Sequence, residues 1–340
     1  MNSFEIAKMA NVSRSTVSRV INNYKNVPPE TREKVQKVID KYGYTPNASA
    51  RTLAGKANDI IGLFLADIDY SHASDKWIGA NSPYNAELIS RVIQSCKRRG
   101  YMVLVNTITE DKECAQMEQL FQNRMIYGGI FVGFPYRMAE LEHIAGKENN
   151  VVLIDQLRDQ DDHNNQIKLL NCDDELGGYL ATKHLIDNGH KKIIYVSGDY
   201  RLSSIQRENG YKRALSEFGI VIEEKNILVG KYREEVAYQV MKEYLEKEKP
   251  DAVFAANDIM ALGILQAIKE KGLKVPEDIS LIGYDNLQYL SWENLSITSI
   301  NVDMGEIAEK AVALLFSKEA GRHDICIPTL YEKNTVLCKG

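Results

Sequence analysis

The 340-residue chain is 44% apolar and 26% charged, which excludes disordered, collagen-like and coiled-coil proteins. Its net charge of −5 is unevenly spread: residues 1–56 carry ten basic and four acidic side chains, or +6, leaving −11 for the rest. A basic head on an acidic body points to a polyanion-binding module joined to a module with a different task. The five cysteines are scattered, without C-x-x-C or zinc spacing, and read as reduced thiols in a cytoplasmic protein. No basic-then-apolar leader opens the chain, and no apolar run nears the ~18 residues of a membrane span. A secreted or membrane-spanning protein is therefore not expected.

Three short helices are expected in the first 45 residues. Asn2 with Glu5 has the spacing of a capping box, and Phe4, Ile6, Ala7 and Ala10 supply an apolar stripe. Asn11 suits the left-handed turn that ends this helix. Ser13 then caps a second helix over residues 14–22, with Val12, Val17, Val20 and Ile21 inward and Arg14, Ser15, Ser18, Arg19 and Asn22 outward. Pro29 opens a third helix, packed through Val35, Val38 and Ile39, which Gly43 stops. Two helices joined by a tight turn form a helix-turn-helix, and the outward side chains are donors suited to base edges and phosphates. A lone arginine there would be an ordinary solvated charge; the turn, the cap and the local charge together favour DNA.

Residues 7–22 (AKMANVSRSTVSRVIN), 30–35 (ETREKV) and 42–47 (YGYTPN) resemble the headpiece of the lactose-repressor (LacI/GalR) family. The resemblance implies a transcriptional regulator in which Arg14, Ser15 and Arg19 read bases in the major groove. It implies phosphate and helix-fixing roles for Ser13, Thr16, Ser18 and Asn22, and a DNA contact at Asn47. The chain departs from the family at Asn11, where a turn glycine is usual, and at Pro28, where serine is usual. Residues 47–55 (NASARTLAG) are good helix formers but too few to hold a helix alone in water. They are similar to the family's hinge helix, which implies that Leu53 wedges into the minor groove and bends the duplex.

From Ile60 onward, short β-branched runs alternate with amphipathic stretches. Strands are expected at 60–65, 101–106, 129–132, 151–155, 192–196, 252–255 and 279–284. Helices are expected at 85–99, 176–188, 204–218, 234–247 and 258–271. Apolar strands alternating with helices mean parallel sheets covered on both faces, here two doubly wound α/β subdomains. Ligands of such folds bind beyond the carboxyl ends of the strands. Asp67, Asn257-Asp258 and Asp285 follow strands and Asp155 ends one, with Arg207 and Tyr232 on neighbouring connections. Singly these are caps or loop residues, Asp258 being the expected cap of the helix after it. Together they suit a polyhydroxy ligand, with planar forks for hydroxyl pairs and an aromatic face for C–H groups.

Landmarks of the same family run through the body, among them residues 152–155 (VLID), 184–193 (HLIDNGHKKI), 255–263 (AANDIMALG) and 275–285 (VPEDISLIGYD). They imply a periplasmic-binding-protein-like core with an effector held by Asp67, Tyr84, Asn85, Asp155, Arg207, Tyr232, Asn257 and Asp285. The expected division is a headpiece at 1–45, a hinge at 46–58, and a core at 59–340. Within the core, 59–157 with 288–317 form one subdomain, and 158–287 with 318–340 form the other. Asp67 and Pro83-Tyr84 enclose a longer loop than the family's, in which Trp77 or Tyr70 could stack on a ligand.

The expectation is a homodimeric repressor, with no cofactor and no metal, binding a pseudo-palindromic operator under control of a small sugar-like effector. The C-terminal residues hold no leucine heptads of the kind that make tetramers. Control by a protein partner, or action with a corepressor, stays open. An enzyme is disfavoured by the absence of G-x-G-x-x-G, P-loop, H-E-x-x-H and G-x-S-x-G patterns. A transport-type binding protein is disfavoured by the basic head.

Overall fold

The computed structural model describes residues 2–21, 24–44, 59–66, 82–147, 149–158, 166–288, 290 and 296–339. The hinge segment 46–58 and the long loop after Asp67 lie outside the described residues. The N-terminal helices and the α/β body are two compact units.

In the N-terminal unit, α1 (Ser3–Met9) opens with the expected capping box. Asn2 Oδ1 accepts from the amides of Phe4 and Glu5, while Glu5 accepts from the Asn2 amide. Asn11 takes the left-handed conformation at φ 52°, which leads the chain into α2 (Arg14–Ile21). α3 (Pro29–Tyr42) ends at Gly43 with φ 59° and its N–H on the Ile39 carbonyl. Ile6, Ala7, Ala10, Val17, Val20, Val27 and Val35 form the small core, with Val12, Ile21, Val38 and Ile39 packed against it. Phe4 departs from the expected stripe: it is 68% exposed, because the 3.6-residue period that buries Ile6, Ala7 and Ala10 turns it outward.

The body contains two six-stranded sheets. The first runs β11-β5-β4-β3-β1-β2, with β1 (Ile60–Ala66), β2 (Met102–Ile108), β3 (Gly128–Val132), β4 (Asn150–Ile154), β5 (Lys168–Cys172) and β11 (His323–Cys326). All its pairings are parallel. The second runs β12-β10-β9-β8-β6-β7, with β6 (Ile193–Ser197), β7 (Ile227–Val229), β8 (Ala252–Ala255), β9 (Ser280–Asp285), β10 (Thr298–Asn301) and β12 (Thr329–Tyr331). Only β12 is antiparallel to its neighbour. In β6, β8 and β9 every residue is buried, so helices cover both faces. The helices are α4 (Pro83–Arg98), α5 (Asp111–Gln122), α6 (Ala139–Gly146), α7 (Asp174–Asp187), α8 (Leu202–Glu217), α9 (Glu234–Leu245), α10 (Asp258–Glu270) and α11 (Met304–Phe316).

Sheet membership moves the expected subdomain borders. The chain leaves the first sheet only after β5, returns after β10, and crosses again between β11 and β12. Residues 168–172 and 323–326 therefore belong with the first subdomain and 298–301 with the second, contrary to the sequence-based division. The reason is local: β5 (KLLNC), β10 (TSIN) and β11 (HDIC) are four or five residues long and carry polar side chains, so they read as loops.

One close crossing sets the geometry of the cleft. A Cβ on Gly178 would lie 2.2 Å from the Arg207 carbonyl oxygen, and one on Gly210 would lie 2.1 Å from that of Glu175. These glycines let α7 and α8 touch backbone to backbone, which brings Arg207 beside Asp174.

Candidate functional site

On α2, Arg14, Ser15, Ser18 and Arg19 are exposed and Thr16 half-buried, while Val17 and Val20 anchor the helix. Ser13 Oγ accepts from the Thr16 amide at 3.1 Å and lies 2.7 Å from Ser15 Oγ and 2.8 Å from Thr16 Oγ1. Arg14 Nε donates to Ser3 Oγ at 3.0 Å. The result is a row of hydroxyls and guanidiniums on one helix face, a set of donors suited to base edges and phosphates. Asn22, Asn47, Leu53 and Asp67 lie outside the described residues.

In the body, a cavity of about 460 Å³ lies at the carboxyl ends of the strands, between the two sheets. Tyr84, Asn85, Asp155, Arg207, Tyr232, Asn257 and Asp285, seven residues singled out from the sequence, all line it. Backbone conformation aims several of them. Asp155 (φ 62°) follows β4, Lys231 and Tyr232 (φ 54° and 56°) follow β7, and Asp285 and Asn286 (φ 98° and 53°) close β9. Left-handed non-glycine residues carry strain of ~1–3 kcal/mol each and cluster at binding sites.

Arg207 is the electrostatic centre. Its Nε donates to Asp174 Oδ1 at 2.7 Å, its Nη1 donates to the Ala256 carbonyl at 2.5 Å and lies 3.8 Å from Asp285 Oδ1. The guanidinium sits 3.6 Å from the centroid of the Tyr284 ring. Burial opposes its charge, but Asp174 and the surrounding tyrosines and Asp285 more than compensate, so it stays a cation. Asp285 is 95% buried, and its Oδ1 makes no hydrogen bond among the described residues.

Burial drives the Asp285 carboxyl well above the usual range against the pull of Arg207, with Asp258 and Asp174 raising it further. Asp155 is pushed up to about 7 by burial and by Asp174, against Arg207, the Ser203 hydroxyl and Arg201. Burial first, then Asp285 and Asp155, also lifts the Tyr84 hydroxyl. Carboxyls poised between donor and acceptor, a fixed guanidinium and phenol rings can bind a ligand rich in hydroxyls.

Asn257, not Asp258, caps α10, accepting from the Met260 amide at 2.8 Å. Asp258 is instead buried, accepting from the Leu287 amide at 2.8 Å and Ser299 Oγ at 2.7 Å, and is pushed up to about 6 by burial. Sequence reasoning missed Arg201, Ser203, Asp174, Asn171 and Gln156, which also line the cavity. Arg201 lies 4.4 Å over the Tyr232 ring while Asp199 engages its Nε at 2.9 Å. The rule of looking past strand ends, applied to β6, would have found Asp199-Tyr200-Arg201.

Among the described residues no helix is long and apolar enough to cross a membrane, and no metal-ligand cluster occurs. Residues 4–47 match the family described as bacterial regulatory proteins, lacI family, and residues 182–336 match a periplasmic binding protein-like domain. The HTH-type transcriptional repressor PurR of Histophilus somni is 34% identical over 327 residues, spanning 94% of each chain. This chain belongs to the lacI family. Catabolite control protein A of Priestia megaterium, another similar protein, is 32% identical over 92% of this chain and 90% of its own. Among solved structures, the lac repressor dimer bound to operator and the anti-inducer ONPF matches at TM-score 0.80 and 24% identity, covering 99% of both chains. The complex of the regulator CelR with cellobiose matches at TM-score 0.71 and 24% identity, covering 98% of this chain and 99% of that one. The lacI-family member described here is thus a DNA-binding transcriptional repressor with a periplasmic-binding-protein-like body.

Proposed function

We propose that this repressor works as a cytoplasmic homodimer whose affinity for a pseudo-palindromic operator is set by a neutral, sugar-like effector in the cavity. The convergence of Asp155, Asp285, Arg207, Asn257, Tyr84 and Tyr232 on one cavity of about 460 Å³ carries this reading. That volume falls within the ~300–1,000 Å³ of small-molecule sites. Carboxyls and the Asn257 amide pair with vicinal hydroxyls, and the tyrosine rings cover the C–H faces between them. An anionic ligand is disfavoured, because Arg207 is already claimed by Asp174 and Asp285.

In this reading each headpiece reads a half-site through Arg14, Ser15 and Arg19. Ser13, Thr16, Ser18, Asn22 and Asn47 hold the backbone, and Leu53 of the paired hinges wedges into the central minor groove. The effector bridges the subdomains, whose relative rotation sets the spacing of the hinges. Swinging a 1:99 equilibrium to 99:1 takes about 5.5 kcal/mol of differential binding, within reach of several buried hydrogen bonds. A thermal-shift screen over mono- and disaccharides tests the reading: a saccharide that raises the unfolding midpoint supports it, and a screen without hits removes the sugar. A planar heterocycle such as a nucleobase is the second reading, favoured by Arg201 stacked on Tyr232 beside Ser203. Nucleobases in the same screen separate the two.

A further inference from the structure

Two cysteines that the proposed effector chemistry leaves unused are neighbours. β5 and β11 pair in parallel with Cys172 opposite Cys326, and in-register partners of a parallel pair point to the same face. Cys326 is buried in the apolar core of the body, and Cys172, half-buried, packs against that core. Adjacent strands lie ~4.8 Å apart, inside the ~4.4–6.8 Å between Cα atoms that a disulfide requires. Both thiols are free, Cys172 lines the cavity, and Cys326 is buried behind it.

Their position matters more than their proximity. Cys172 ends β5, and one residue later Asp173 caps α7, which packs in the second subdomain. Cys326 ends β11, and the chain then crosses to β12 in the second sheet. The Asp173 amide donates to the Cys326 carbonyl at 3.0 Å, so the two crossing segments already touch.

We propose that Cys172 and Cys326 are a disulfide-forming site in the cavity wall, at which a peroxide ties together two segments joining the subdomains. The Cys172 thiolate attacks a peroxide oxygen, forming an S–O bond as the O–O bond breaks and hydroxide departs. The Cys326 thiolate then attacks that sulfur, forming the S–S bond and expelling the second hydroxide. The two thiol protons convert both hydroxides to water, so two thiols and one hydrogen peroxide give one disulfide and two waters. Burial raises both thiols above their ordinary range, Cys326 to about 11, so neither is a ready thiolate, and attack starts from Cys172 because it alone of the two lines the cavity by which a peroxide arrives. A clamp across these segments opposes the subdomain rotation on which effector control depends, so this consequence rests on the function proposed above; formation of the bond does not.

The full-length protein, treated with hydrogen peroxide and alkylated under denaturing conditions, should lose two of its five titratable thiols in addition to the exposed Cys338. Non-reducing peptide mapping should show a Cys172–Cys326 cross-link, which C172S and C326S each abolish. Hydrogen exchange of amides 172–176, 326, 327 and 329 in the oxidised protein should slow at least ~10-fold. Absence of the cross-linked peptide at doses that oxidise the exposed Cys338 would overturn the site. A cross-link without slowed exchange would overturn the clamp. Both readouts use the unsubstituted protein, so poor folding of a serine variant does not blunt the test, and neither depends on the effector being a sugar.

Discussion

Arg14 and Arg207 carry the same guanidinium in opposite circumstances. Arg14 is exposed on α2, tethered by one hydrogen bond to Ser3, while Arg207 is buried among Asp174, Asp285, Tyr284 and the Ala256 carbonyl. The headpiece keeps its recognition donors in water, so their binding energy is realised only on DNA, and the small core of Ile6, Val17, Val20 and Val35 holds the helix without them. The cavity binds its charges to one another beforehand, so they shape a fixed receptor and also hold the body together. A recognition side chain in the first region is separable from stability; in the second it is not.

Arg207→Ala should break the comparison most visibly. It strands Asp174 and Asp285 without their cation, and losing one partner of a buried pair costs about 3–5 kcal/mol, read as a lower denaturation midpoint. Arg14→Ala should leave the midpoint within ~0.5 kcal/mol. Equal losses in the two variants would show that the regions do not differ in kind.

The next effect is on pH. Asp155 and Asp258 titrate at about 7 and about 6 in the folded body against 3.8 ordinarily. Between about pH 4 and 7 the folded state therefore holds more protons than the unfolded chain, and stability falls as pH rises through that window. Thermal midpoints across the window should fall, and Asp155→Asn should flatten the fall. A slope unchanged by that substitution would mean that Asp155 ionises without strain.

On the operator, Arg14→Ala should cost about 1–3 kcal/mol of discrimination at one base pair, roughly 10- to 100-fold, seen in a gel shift of matched and mismatched sites. Uniform weakening across all sites would make Arg14 a phosphate contact instead. The smallest effect belongs to Asn257→Ala. Losing the cap of α10 should cost about 1 kcal/mol of stability and weaken the thermal shift given by a saccharide. Stability loss with the ligand shift intact would confine Asn257 to capping.

Much of this was legible in residue patterns. Asn2 with Glu5, Asn11, Ser13 and Gly43 set the headpiece boundaries, because capping and left-handed turns depend on neighbours in sequence. Looking just past strand ends located Asp155, Asn257 and Asp285, because parallel sheets place those ends at one edge. β5, β10 and β11 were not legible: they are short, partly polar, and made strands by pairings distant in the chain. Asp258 read as a cap because its sequence position fits one; Ser299 and the Leu287 amide, both remote in sequence, give it its buried role. Arg201 escaped for a similar reason, since its stack on Tyr232 joins two separate strand ends.

The claim that a neutral polyhydroxy ligand controls the operator complex is tested most directly by titration. An operator selected by the protein from randomised duplexes would be bound and followed by fluorescence anisotropy across a panel of saccharides and nucleobases. The account predicts that at least one neutral saccharide shifts operator affinity ~10-fold or more, and that Asp285→Asn abolishes the shift without altering affinity for DNA alone. Operator affinity indifferent to every saccharide, or a response confined to nucleobases, would contradict it.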